Sequence, residues 1–165
     1  MTAELIRAAD RHHWANEWLT SRQSFPATGN YDLYGNAHGV LVVHNDDLVD
    51  AGEGLDAHQH QNMEILTWVL DGTVAHKDSH GTEVVLHPGT LGHMRAGRGI
   101  THSERNADTR RRGGEQLRVV QMWVAPHTDG LDPSHAERDF TAALEAGTPV
   151  VAASGRPEHA GTGAL

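Results

Sequence analysis

Two short histidine pairs hold the chemistry of this chain: His58-Gln59-His60, with Glu64 four residues on, and His102-Ser103-Glu104 about forty positions downstream. On a β-strand, residues two apart share a face, so each pair would present two ligating side chains to one side of its strand. Brought together across a barrel, the pairs would supply three imidazoles and one carboxylate. Such a set suits a divalent transition metal, with iron the leading choice, and leaves room for a substrate or dioxygen.

The elements that must position these pairs read as short strands. Gly39-Val40-Leu41-Val42-Val43-His44 is rich in β-branched residues and predicts a strand. Asn45-Asp46-Asp47 and Asp50-Ala51-Gly52-Glu53-Gly54 read as turns leading into the first pair. Met63 to Leu70 is apolar at nearly every position, which predicts a strand covered on both faces. Asp71-Gly72 then signals a hairpin, Asp78-Ser79-His80-Gly81 a second turn before Glu83-Val84-Val85-Leu86, and Pro88-Gly89 a break before Leu91-Gly92-His93-Met94. Leu117 to Val124 supplies a late strand. Turns recurring every eight to twelve residues indicate an all-β barrel or sandwich. The first thirty residues, anchored by Trp14, Trp18 and Phe25, read as an extended segment packing on that barrel.

Composition bounds the function. A chain of 165 residues with 22 acidic and 13 basic side chains, net charge −9, offers no basic stripe for nucleic acid. Arg110-Arg111-Arg112 is too short to change that and reads as a solvated loop. The absence of cysteine removes disulfides, thiolate ligands and a catalytic thiol, so any metal must sit on nitrogen and oxygen. The N-terminus has no apolar signal region and no run suits a membrane span, which predicts a soluble, cytoplasmic protein. Among the 14 histidines, His76 reads as a hydrogen-bonded loop residue, and His80, His87 and His93 as surface groups. Arg98, between two glycines, reads as a backbone brace, and Trp68 and Trp123 as core aromatics rather than pocket walls.

Gly52, His58-X-His60, Glu64 and Gly72 resemble the first conserved motif of the cupin barrels, and Gly89, Arg95-X-Gly97 and His102 a variant of the second. Cupins usually place the acidic residue five positions after the second histidine; here Glu64 stands at four, which moves it to the other face of a strand. Where most cupins carry the last histidine this chain has Ile100, and His102 follows two residues later on the same face. Glu104 can then take the place of the displaced carboxylate.

That rearrangement is similar to the pirin family. The likeness extends through Glu64-Ile65-Leu66-Thr67-Trp68-Val69-Leu70-Asp71-Gly72, Ala75-His76-Lys77-Asp78-Ser79, Ala96-Gly97-Arg98-Gly99-Ile100-Thr101-His102-Ser103-Glu104, Gln121-Met122-Trp123-Val124 and Trp18-Leu19-Thr20-Ser21 with Phe25. The resemblance implies an all-β cupin barrel (a jelly-roll, or double-stranded β-helix) and a metal held by His58, His60, His102 and Glu104. The ion would be Fe(II), with Mn, Ni, Cu or Zn as alternatives. Pirins usually carry two tandem cupin domains, so residues 1–125 would form the metal-bearing N-terminal domain. Residues 126–165 would be a linker and the start of a truncated second module. A missing second barrel would leave an apolar face inclined to self-association. Gln59 stands where pirins commonly have proline, without altering the ligand count.

Bacterial pirins imply quercetin 2,3-dioxygenase activity, with a flavonol and O₂ as substrates and Glu104 as the catalytic base. Animal pirins imply instead a non-enzymatic metal-binding module that regulates through a protein partner. A third reading is a cupin remnant that keeps the fold and does no chemistry.

Overall fold

Alternating burial along each strand builds two antiparallel sheets that face one another. The computed structural model describes residues 5–29, 31–109, 114–162 and 164–165; Arg110-Arg111-Arg112 and the first four residues lie outside the described part. Its strands are β1 (His12–Ala15), β2 (Leu19–Gln23), β3 (Leu41–Val49), β4 (Gly54–His60), β5 (Glu64–Asp71), β6 (Val74–Asp78), β7 (Glu83–Leu86), β8 (Thr90–Arg95), β9 (Ile100–Asn106), β10 (Leu117–Val124) and β11 (Ser134–Asp139). A short helix, α1 (Thr141–Glu145), follows. The larger sheet runs β1-β2-β3-β10-β5-β8-β11 and the smaller β4-β9-β6-β7. The residue pattern predicts an all-β barrel or sandwich and the resemblance implies a cupin barrel, which this is; the N-terminal segment joins it as the β1-β2 hairpin paired to β3.

Inside, two apolar caps enclose a polar belt. One cap gathers Val42, Val43, Met63, Ile65, Met94, Ala96 and Ile100; the other gathers Val49, Val69, Val74, Leu86, Leu117 and Val119. Each fully buried Val, Leu or Ile contributes about 1.5–3 kcal/mol, so the caps hold the fold together. Between them the alternation continues with polar residues. β5 places Thr67 between Ile65 and Val69, and β10 places Gln121 between Val119 and Trp123. β3 places Asn45 and Asp47 between Val43 and Val49. Burying polar groups costs free energy unless they find partners, so a belt of this kind is a feature of function rather than of stability.

Three local expectations are corrected. Asn45-Asp46-Asp47 is not a turn but part of β3, where Asp46 accepts two hydrogen bonds from Arg118 at 2.9 and 2.8 Å. Its polarity reflects the belt and the outer ion pair, and the true turn lies at Ala51-Gly52. Asp71-Gly72 does not close a hairpin, because β5 and β6 belong to different sheets. It is a corner: Gly72 has φ 73°, and a Cβ there would sit 3.0 Å from the Leu117 Cα. On β5 the second face is only partly covered, with Leu66 and Trp68 half-buried and Leu70 exposed.

Within the segment 126–165, read as a linker and the start of a further module, Ser134–Asp139 pairs with β8 from Ser134↔Arg95 to Asp139↔Thr90. Phe140 is buried directly after it and meets the Trp68 ring at 5.9 Å. Among the described residues, no helix is long and apolar enough to cross a membrane.

Candidate metal centre

β9 runs through the middle of the smaller sheet, with β4 on one side and β6 on the other. In this register His102 stands opposite His58, and Glu104 stands opposite His76. Directly opposed residues project to the same face with Cβ atoms about 4.5–5.5 Å apart, so β9 gathers histidines from both neighbours into the barrel. An irregularity in the β4-β9 ladder between Leu55 and His58 resets the strand just before the first pair.

The three imidazoles of His58, His60 and His102 converge. Ring centroids are 4.5 Å apart for His58–His102, 4.8 Å for His58–His60 and 5.0 Å for His60–His102, with ligand atoms all within 4.8 Å of one another. His58 Nδ1 donates to the Asp56 carbonyl at 2.7 Å, which leaves its Nε2 as a lone-pair donor. His60 Nε2 and both nitrogens of His102 are buried with no hydrogen-bond partner in the protein. Orphaned nitrogens facing one another are costly unless a cation satisfies them. The residues present therefore fit a transition metal.

Electrostatics favours the same reading. Burial, assisted by the His58 ring, lowers His60 to about 4 against an opposing pull from Glu104. His102 is likewise lowered to about 4, chiefly by burial. Both are neutral at pH 7 and can donate to a metal without first losing a proton.

Glu104 completes a donor set from the other side. Thr67 Oγ1 donates to its Oε1 at 3.0 Å and Gln121 Nε2 to its Oε2 at 2.6 Å, while Trp123 Nε1 donates to Gln121 Oε1 at 3.0 Å. Trp123 also meets the His60 ring edge-on at 4.8 Å, so it is a wall of the centre as well as a core residue. Burial alone would raise the Glu104 carboxyl, but the neighbouring His76 and the Thr67 hydroxyl hold it below the usual carboxylate range, and the group is an anion. Its ligand atom clusters with His76 and His102 rather than with His58 and His60. His102 is thus common to two donor groups.

Several residues stand where the spacing does not lead one to expect them. His76 is on β6, not in a loop, and is 2% exposed; its Nδ1 lies 3.9 Å from Glu104 Oε1. His76-Lys77-Asp78 has the same two-residue offset as the two recognised pairs, and that signal could have found it. His93 is not a surface group: its Nε2 lies 2.6 Å from Glu64 Oε2, and Arg95 Nε donates to Glu64 Oε1 at 3.0 Å. Glu64 is therefore a pairing residue outside the centre, as its offset predicts. His135 of β11 brings its ring to 4.6 Å from His76. His80 and His87 are exposed.

A cleft of about 420 Å³ lies beside His60, bordered also by Gln59, Ser79, Arg98 and Thr101. Arg98 braces its rim by an ion pair to Asp132 and by its backbone N–H to the Leu131 carbonyl. On the far side of Glu104 lies an internal cavity of about 40 Å³ touching Asp47, Thr67 and Gln121. Burial pushes the Asp47 carboxyl up to about 6; Ser21 opposes this, and the neighbouring Asp46 and Glu104 charges add to it.

Known proteins repeat this arrangement at the level of sequence and fold. The Pirin family model matches residues 6–124. A Mycobacterium tuberculosis protein named "Putative quercetin 2,3-dioxygenase" is 42% identical over 156 residues, covering 94% of this chain and 62% of that relative. The Escherichia coli quercetin 2,3-dioxygenase is 39% identical over 138 residues, covering 84% and 58%. This chain thus spans about three fifths of the length of these relatives. A bacterial pirin from Escherichia coli, solved in complex with nickel(II), superposes with a TM-score of 0.74 at 38% identity, covering 82% of this chain and 57% of the other. With the family model spanning both histidine pairs and the strands that hold them, the chain belongs to the pirin family.

Proposed function

We propose that this barrel is a metal-dependent flavonol 2,3-dioxygenase module, with a divalent transition metal held by His58, His60, His102 and Glu104. The observation that carries the reading is the set of buried, unpartnered imidazole nitrogens of His60 and His102 facing His58. The names of the relatives at 39% and 42% identity supply the substrate class. Bound there, the ion would supply Lewis acidity toward a flavonol hydroxyl and a path for electrons between substrate and O₂.

The chain's own residues account for binding, orientation and proton handling. A cleft of about 420 Å³ falls within the range that accommodates a small aromatic ligand. The Trp123 indole fixes the His60 ring and keeps water from that flank. Glu104, anionic and oriented by Thr67 and Gln121, is the acceptor for the flavonol proton.

The test is aerobic incubation of metal-reconstituted protein with quercetin. Loss of the flavonol absorption band with equimolar carbon monoxide release is the expected result, and the His102→Ala protein should lack it. A protein that binds metal through these histidines yet leaves quercetin intact would instead favour the non-enzymatic, partner-binding role of a pirin.

A further inference from the structure

His76 is the buried imidazole that the proposed four-ligand centre does not use. It sits opposite Glu104 in the β6-β9 ladder, with its Nδ1 3.9 Å from Glu104 Oε1 and its ring 5.3 Å from that of His102. One ligand atom each from His76, His102 and Glu104 lie within 4.8 Å of one another. That is little more than twice a metal–ligand bond of about 2.0–2.2 Å.

Two further observations point to a cation rather than to packing. Both His102 nitrogens are buried and unpartnered, so that ring has a free lone pair whichever neighbour it serves. The other nitrogen of His76, Nε2, faces Asp78 Oδ2 at 3.4 Å, and Asp78 is itself fixed by the backbone N–H groups of His80 and Thr82 at 2.8 and 3.0 Å. A carboxylate behind one ring nitrogen orients the imidazole and strengthens the other as a ligand, which is how metal-binding histidines are generally supported. His135 closes the outer side of His76 from β11.

We propose that the barrel offers its cation two overlapping seats that share His102, one completed by His58 and His60 near the cleft and a deeper one completed by His76 and Glu104. Because His102 serves one ion at a time, each chain holds one equivalent. The seats take the same class of ion, a divalent transition metal suited to imidazole and carboxylate. This rests on the metal reading above, and the experiment separates the two.

Zinc(II) and cobalt(II) are titrated by calorimetry and by cobalt absorption into the full chain, the His58→Ala/His60→Ala variant, and that variant with His76→Gln added. Cooperative thermal unfolding is required of each. The double variant is expected to keep one equivalent of weaker binding, and the triple variant to bind about tenfold more weakly again or not at all. The cobalt spectrum of the double variant should also change on addition of His76→Gln. If the unaltered chain binds no cation, the metal reading itself fails and this proposal with it. If the unaltered chain binds but the double variant does not, or His76→Gln makes no difference there, only the deeper seat is overturned. Should the double variant not unfold cooperatively, His60→Ala with and without His76→Gln gives the same comparison.

Discussion

Gln121 and Glu104, on strands of opposite sheets, are joined by a 2.6 Å hydrogen bond from Gln121 Nε2 to Glu104 Oε2. This bond and the 3.0 Å contact from Trp123 to Gln121 tie the carboxylate to the wall that also carries the His60 neighbour. Replacing Gln121 with Leu leaves the buried carboxylate short of a donor. The expected outcome is a loss of about 1–3 kcal/mol in stability of the metal-free protein. Metal affinity should fall by about 10–100-fold, as for other residues that orient a ligand. Urea unfolding and calorimetric metal titration read the two effects; an unchanged metal affinity would show that Glu104 is positioned without Gln121.

Proton competition at the centre should begin unusually low. His60 and His102 are held at about 4 rather than near 6.5, so protons displace metal from them only as pH falls toward 4. A titration of zinc affinity against pH should be nearly level from pH 8 to 6 as far as these two groups are concerned, and drop steeply below about 5. A midpoint near 6.5 would mean the imidazoles are solvated and ordinary.

Asp47 makes an opposite contribution to stability. Burial pushes its folded carboxyl up to about 6 from an ordinary value of 3.8, so the unfolded chain binds fewer protons between those values. Its contribution is therefore fully present below pH 3.8 and is lost as pH rises through 6. Asp47→Asn removes the penalty of ionising the group in the interior. The metal-free variant should gain relative to the parent at pH 8 by up to about 3 kcal/mol, and much less at pH 4.5. Equal differences at both pH values would disprove the burial argument.

Glu64 separates the structural carboxylate from the ligand. Glu64→Gln keeps the size of the side chain but removes the charge that His93 and Arg95 share. Stability should fall by about 1–3 kcal/mol while metal affinity and stoichiometry stay as in the parent. A loss of metal binding would return Glu64 to the centre.

Gly97 links the entrance to β9. It has φ 47°, and a Cβ there would lie 2.0 Å from the Leu131 carbonyl oxygen, so even alanine must move the backbone. Gly97→Ala should cost about 1–3 kcal/mol and weaken metal binding by displacing the start of the strand that carries His102. Thermal unfolding and zinc titration together check this, and a neutral variant would show that the 130s loop simply yields.

The convergence of His58, His60 and His102 was legible because a two-residue offset is a local property, and so were the turns at Gly81 and Gly89 and the late strand. What the residues alone did not disclose is non-local. Asp71-Gly72 has hairpin chemistry, but only the sheet assignment shows that it turns a corner between layers. Asn45 to Asp47 looked like a turn because buried polar residues share the composition of loops. His76 and His93 gained their roles from partners 28 and 29 positions away, Glu104 and Glu64, distances over which periodicity says nothing.

β9 bonds to a neighbour on each edge and is also the strand that contributes His102, common to both donor groups, and Glu104. Occupancy of the centre and cohesion of the smaller sheet are therefore linked equilibria. An ion present at a hundred times its dissociation constant would add about 2.7 kcal/mol to the folded state. If the centre holds its ion, a melting temperature measured on this protein is also an assay of the trace metal in the buffer, and chelator should lower it in proportion to what it removes.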